Sequence, residues 1–341
     1  MGKGIFTKDE IFNQTNAWNG ALREVQAHKK EILDIDFTEF RQVIFTGCGS
    51  TYYLSQAAAA LFQTQTGTIC KAVPGGELLM NPNAIFSGNN NLLVAISRSG
   101  STSETVKAVK EFKNKNGGKV ISISNYDNQP LTESSDLALC IKEGQEQSVA
   151  QTKSFNSMLI TATALAMLAS GRQDLYDTMQ KLPDIGQGLI EKYQNFAKEK
   201  GENLGFDRFY FLGSGTRYGL ACEANLKMKE MTLTHSEPFH FLEFRHGPMS
   251  MVNENTVISG LLSQTHREYE QKVLEEMKDK GAKVISLAET DADIVFNSGL
   301  PENIQNVLYM PALQIMAYYR SIAKGLDPDN PKNLSSVVYL D

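Results

Sequence analysis

The chain reads as an α/β protein of two tandem domains, each a mainly parallel sheet flanked by helices on both faces. Three observations predict this. Short apolar runs alternate with amphipathic stretches, Gly/Ser-rich turns follow those runs, and the whole pattern recurs in the second half of the chain.

Between Lys8 and Ile35, Trp18, Leu22, Val25 and Ile32 stand among charged residues, which predicts one or two helices and sets residues 1–35 apart as a helical segment. The first domain is expected over residues 36–185. Gln42-Val43-Ile44-Phe45-Thr46 reads as a strand running into the turn Gly47-Cys48-Gly49-Ser50-Thr51, and an Ala-rich helix follows through Ala57-Ala58-Ala59-Ala60. Leu92-Leu93-Val94-Ala95-Ile96-Ser97 is the next strand, followed by a helix and then Gly118-Lys119-Val120-Ile121-Ser122. A helical connector around Asp184 to Asn203 should hold the boundary, with the second domain over 200–341. There Arg208-Phe209-Tyr210-Phe211-Leu212 leads into Gly213-Ser214-Gly215-Thr216-Arg217, with Gly213 as the counterpart of Gly47. Val257 to Ser263, a helix, and Gly281 to Ser286 repeat the second block. Ser263 stands to Ser97 at the same offset as Gly213 to Gly47, and Lys283 stands to Lys119 at nearly the same one. Two blocks at one offset indicate an internal duplication. In such open sheets ligands sit at the carboxyl ends of the strands, where these turns fall.

At 341 residues, with 41% hydrophobic and 21% charged residues, the chain is suited to two domains with real cores. A net charge of −6 argues against nucleic acid as a partner, but a small anion needs only a local set of donors. No stretch of about 18 apolar residues is present, and Met1 to Glu10 is too polar for a signal peptide, so neither a membrane span nor secretion is expected. The four cysteines, Cys48, Cys70, Cys140 and Cys222, form no CxxC pair or Cys/His cluster. Reduced thiols in a cytoplasmic protein without a metal or other cofactor are the expectation.

Ser97-Arg98-Ser99-Gly100-Ser101-Thr102 forms a strand-to-helix turn dense in hydroxyls. Backbone N–H groups at a helix N-terminus bind phosphate with the dipole behind them, and each Ser or Thr adds a donor. An ordinary Ser-rich cap would look the same in isolation. Two features favour phosphate. Gly47 to Thr51 holds the equivalent position one unit earlier, and the second copy, Ser263-Gln264-Thr265-His266-Arg267, keeps little of the hydroxyl cluster.

Gly47-Cys48-Gly49-Ser50-Thr51, Ser97-Arg98-Ser99-Gly100 and Val149-Ala150-Gln151-Thr152-Lys153-Ser154-Phe155 resemble sugar-phosphate-binding motifs of the sugar isomerase (SIS) family. Glu223-xxx-Lys227-xx-Glu230, Glu243-Phe244-Arg245-His246-Gly247-Pro248 and Asn333-Leu334-Ser335-Ser336-Val337 extend the match from about Gln42 to the C-terminus. The resemblance implies two flavodoxin-like SIS domains. It groups the chain with the isomerase half of glucosamine-6-phosphate synthase, SIS-type glucosamine-6-phosphate deaminases, tagatose-6-phosphate isomerases and galactosamine-6-phosphate deaminases, and fructosamine-6-phosphate deglycases. By matching position, Gly49, Ser50, Thr51, Ser97, Arg98, Ser99 and Thr102 would hold the phosphate, and Val149 and Gln151 would line the sugar. Arg98 stands where the synthase has Gln, as in the deaminase and tagatose-6-phosphate isomerase groups.

Glu223, Lys227 and Glu230 share one helix face at i, i+4 and i+7. Such a stripe is commonly a solvated face. Here Ala221, Cys222, Ala224, Leu226 and Met228 around it are small or apolar, which makes three charges there unusual. The resemblance implies that Glu230 carries a proton between C2 and C1 of an open-chain sugar, a role suited to a carboxylate whose pKa burial raises. Lys227 would offset charge at the sugar oxygens, and Glu223 would position the lysine and the sugar hydroxyls. His246, in a loop, matches the family's ring-opening histidine, which enters the site from the neighbouring subunit of a homodimer, whereas His235 and His240 are read as structural.

Ser336 stands where the synthase has its tail lysine, and its matching position places it among the substrate-binding residues. The start Met1-Gly2-Lys3 offers no N-terminal Cys nucleophile, and no glutaminase domain is expected, which disfavours synthesis of glucosamine 6-phosphate from glutamine. The reading that follows is deamination of a hexosamine 6-phosphate to ketose and ammonia. A deglycase or a plain aldose/ketose isomerase stands beside it. A non-catalytic sugar-phosphate regulator is disfavoured by the presence of Glu230 and His246 and the lack of a helix-turn-helix extension.

Overall fold

A computed structural model describes residues 2–86, 88–116, 118–338 and 340, leaving Met1 of the expected N-terminal segment outside. The described residues form ten strands in two five-stranded sheets. The first contains β1 (Gln42–Gly47), β2 (Cys70–Pro74), β3 (Asn91–Ser97), β4 (Lys119–Ser124) and β5 (Leu137–Cys140), in the order β2-β1-β3-β4-β5. The second contains β6 (Arg208–Leu212), β7 (His235–Phe239), β8 (Thr256–Leu261), β9 (Lys283–Ala288) and β10 (Ile294–Val295), in the order β10-β9-β8-β6-β7. Read from its other edge, the second sheet repeats the first. Every pairing is parallel, which is the 2-1-3-4-5 arrangement of flavodoxin-like sheets.

Burial follows position in the sheet. The inner strands β1, β3 and β8 are buried along their full length, as a sheet covered on both faces requires. β2 and β7 lie at edges and are partly exposed, and each carries a proline, Pro74 and Pro238, tolerated where one side of the ladder is unpaired. Those edge strands carry no clear alternation, and sequence reading passed over them.

The chain divides into two compact units that interleave in sequence. One consists of Asn13–Glu146, Gln151–Pro183 and Ser335–Asp341 and holds the first sheet. The other consists of Met1–Phe12, Gln147–Ala150 and Asp184–Leu334 and holds the second. The expected division into 1–35, 36–185 and 200–341 therefore differs from these units at both termini, for a physical reason. The helix Ile5–Phe12 is tied to the second unit, because Asp329 accepts from the Thr7 N–H and hydroxyl at 2.7 Å each. The helix Thr15–Ala27 buries Trp18, Leu22 and Val25 in the first unit against the helix Lys153–Ala169. A third short helix, Lys29–Leu33, follows with Ile32 buried. The tail after Leu334 groups with the first sheet.

The duplication extends to backbone detail. Gly49 and Gly215 share one conformation, φ/ψ 57/−124 and 57/−129, which side chains rarely adopt. Each opens a 17-residue helix, Ser50–Thr66 and Thr216–Thr232. A Cβ on Gly47 would stand 2.8 Å from the Thr51 carbonyl oxygen, and one on Gly213 would stand 2.4 Å from that of Arg217. Only glycine lets the strand end against the first helical turn. Gly213→Ala should therefore cost about 1–3 kcal/mol by overpacking. Gly188→Ala, exposed within the helix Leu182–Glu202 with no atom near its Cβ, should gain about 0.5–1 kcal/mol. Urea denaturation of the two variants beside the wild type reads both signs.

Candidate functional site

In the first unit β3 ends at Ser97, and the chain turns into the helix Ser103–Asn116. The Ser97 hydroxyl accepts from the Gly100 N–H at 3.2 Å and donates to the Thr102 hydroxyl at 3.3 Å. Ser99 accepts from the Ser101 N–H at 3.2 Å and meets its hydroxyl at 3.1 Å. Gly100 takes φ +67°, and a Cβ there would strike Gln129 at 2.7 Å. Ser99, Ser101 and Thr102 remain half-buried at the mouth of the turn, and the turn is organised by its own hydroxyls. In the neighbouring turn Gly49 is exposed, while Ser50 and Thr51 are buried. The Thr51 hydroxyl is engaged locally, accepting from the Cys48 N–H at 2.9 Å and donating to its carbonyl at 3.0 Å.

Arg98 is buried, and its guanidinium donates to Glu146 at 3.3 Å and to the Ser336 carbonyl at 3.0 Å. Glu146, whose side chain is fully buried, also accepts from the Thr152 N–H at 2.6 Å, the Ser154 N–H at 3.1 Å and both their hydroxyls. It thus sits as an anion on the N-terminus of the helix Lys153–Ala169. Sequence reading missed Glu146. The local signal was a carboxylate shortly before a Thr-led helix, but its long-range partner, Arg98, carries no sequence mark. Gln151 is half-buried, and its amide oxygen is buried without a hydrogen-bond partner, an acceptor placed to receive a hydroxyl. In the second unit Val149, half-buried, donates its N–H to the Asp329 carbonyl at 3.0 Å. Glu10 accepts from the Gln147 and Ser148 N–H groups at 2.6 and 3.2 Å, so the stretch Gln147–Ala150 is held by the N-terminal helix.

The second unit also carries the helix Thr216–Thr232. Glu223 and Lys227 are fully buried, and the side chain of Glu230 is 21% exposed. The Lys227 ammonium lies 3.3 Å from Glu223 and donates to Glu230 at 2.6 Å. The stripe is not a solvated face. Burial would lower the pKa of Lys227, but the two carboxylates outweigh it and hold the pKa above that of an ordinary lysine. His246 lies exposed in the turn after the short helix Phe241–Phe244, its N–H donating to the Glu243 carbonyl at 3.0 Å. His240 stacks on Tyr218 with ring centroids 3.8 Å apart, and His235 is exposed at the start of β7.

Among the described residues no group of three or more His, Cys, Asp or Glu could hold a metal ion, and no helix is long and apolar enough to cross a membrane. All four cysteines are unpaired, and burial pushes the Cys222 thiol up to about 12.

Residues 36–168 and 206–321 match the family profile described as SIS domain. A glutamine–fructose-6-phosphate aminotransferase (isomerizing) from Thermococcus kodakarensis is 28% identical over 98% of this chain, which spans only 58% of that relative's length. A glucosamine-6-phosphate deaminase structure from Thermotoga maritima superposes with a TM-score of 0.81 at 26% identity, covering 98% of this chain and 99% of its own. A tagatose-6-phosphate ketose/aldose isomerase structure from Escherichia coli gives 0.86 at 25% identity, covering 97% and 96%.

Lys227→Met removes the cation beside buried Glu223 and should cost about 3–5 kcal/mol at neutral pH. A raised lysine pKa stabilises the fold below the unfolded value of 10.5 and loses that contribution as pH climbs through the folded value. The stability gap between wild type and Lys227→Met should hold steady to about pH 9 and shrink above the unfolded pKa, as read by urea denaturation across pH.

Proposed function

The chain belongs to the SIS domain family, and from that footing we propose that it acts as a homodimer on a hexosamine 6-phosphate, releasing ammonia and the ketose 6-phosphate. The observation that carries the proposal is the Glu223–Lys227–Glu230 face. Three charges share one helix, and only Glu230 among them reaches solvent. Glu230 takes the proton from C2 of the open-chain amino aldose and returns it to C1, while the C1 oxygen gains a proton and the C2 nitrogen gives one up. The product is a 2-imino ketose, and water then displaces ammonia at C2 to leave the ketone. Lys227, buried and held protonated, lends its charge to Glu230 and is no free amine for a Schiff base. Glu223 fixes the lysine.

The phosphate is assigned to the turn Ser97–Thr102 with Gly49, Ser50 and Thr51, where N–H groups and hydroxyls gather at strand ends. Gln151, with its unsatisfied amide oxygen, and Val149 face the sugar in this reading. Arg98 contributes charge while anchored to Glu146 and the Ser336 carbonyl. The Thermotoga maritima deaminase supports the deaminase reading by matching this chain over nearly its whole length.

Incubation with glucosamine and galactosamine 6-phosphates should release ammonia and ketose 6-phosphate in equal amounts, with solvent deuterium entering C1. Glu230→Gln should lower kcat by roughly 10²–10⁴ with substrate still bound. Ketose formed from a neutral aldose 6-phosphate without ammonia would make the protein a plain isomerase, and binding without turnover would make it a sensor.

His246, exposed in its turn, is proposed to serve the site of the partner subunit during ring opening. Glu230→Gln and His246→Ala chains, each nearly inactive alone, should then complement one another. With random pairing about half the dimers are mixed, and each has one intact site, so activity should return to roughly a quarter of wild type. Inactive mixed dimers, verified by mass spectrometry, would place both residues on one chain.

A further inference from the structure

The second sheet keeps the build of the phosphate turn, although its hydroxyl cluster has gone. After β8, the Ser263 hydroxyl accepts from the His266 N–H at 2.9 Å, as Ser97 does from Gly100 at 3.2 Å, and the helix Arg267–Asp279 follows. Arg217 closes the turn after β6 at the position Thr51 holds in the first copy. What differs is the content. The carboxylate of Glu302 lies in the cradle, accepting from the Gln264 N–H at 3.0 Å, the Thr265 hydroxyl at 2.8 Å and the Arg217 guanidinium at 2.8 Å. Gln264, Thr265 and Arg217 are the counterparts, at the one offset of the duplication, of Arg98, Ser99 and Thr51.

An ordinary ion pair needs only the arginine. Here a backbone N–H and a hydroxyl from a strand-to-helix turn join it on one anion, which is the donor set that such turns offer to phosphate. Arg217 is 9% exposed, and its Nε has no hydrogen-bond partner, so the guanidinium has a donor to spare. The Glu302 side chain is 22% exposed, leaving an approach from solvent. A second carboxylate borders the cradle. Glu270 accepts from the Ser263 N–H at 2.5 Å, and burial raises its pKa.

We infer that the second sheet holds a second anion site of the same build, with Glu302 as its tethered ligand, and that inorganic phosphate or a phosphomonoester binds there when that carboxylate is withdrawn. The inference goes beyond the proposed reaction, and its test requires no turnover. Equilibrium dialysis with labelled inorganic phosphate, at fixed ionic strength in chloride, counts sites per chain. Glu302→Ala should raise the count by one over wild type, whatever the wild-type count, with a Kd on the order of millimolar. Glu302→Ala with Arg217→Met should return to the wild-type count. If Glu302→Ala does not fold, Glu302→Ser, which also withdraws the carboxylate and empties the cradle, carries the same expectation. An unchanged count, or an extra site that survives Arg217→Met, would overturn the inference. Failure of the phosphate turn itself would instead lower the wild-type count and leave the increment intact.

Discussion

Each half of the molecule depends on a glycine at the carboxyl end of a strand, where the next helix already fills the space of a side chain. Gly47 and Gly213 meet the backbone of Thr51 and Arg217, and Gly49 and Gly215 supply a conformation that side chains rarely adopt. The helix therefore starts directly at the carboxyl end of its strand, with the N–H groups of its first turn gathered there. A longer loop would carry the same residues without converging their donors.

Other turns and helix starts hold anions of the fold itself. Glu146 sits on the start of the helix Lys153–Ala169, and Glu302 sits in the turn after β8. Helix N-termini favour negative charge, so an unoccupied one invites a ligand and an occupied one becomes a structural tie. The turn Ser97–Thr102 has the same build with its hydroxyls bonded mainly to one another. The helix Thr216–Thr232 meets the opposite demand. A buried ammonium is tolerable there because two carboxylates flank it, and that pairing fixes the rotamers of Glu223 and Lys227 while leaving Glu230 open to solvent.

The sequence by itself determined the α/β class, the duplication and the inner strands, since these rest on local periodicity and on glycines that no other residue replaces. It also determined that Glu223, Lys227 and Glu230 share a face, because helical spacing is local geometry. The edge strands β2 and β7 escaped because half-buried edges with a proline carry little pattern. The units at the termini escaped because the helix Ile5–Phe12 is held by Asp329, near the other end of the chain. The apolar neighbours of the charged face hinted at its burial, but its ion pairs, the clamp of Glu146 on Arg98 and the seat of Glu302 on Arg217 were decided by tertiary structure. Each depends on groups that the folded chain brings together, and the free energy of a buried charge depends on which partners the fold supplies, which no local pattern encodes.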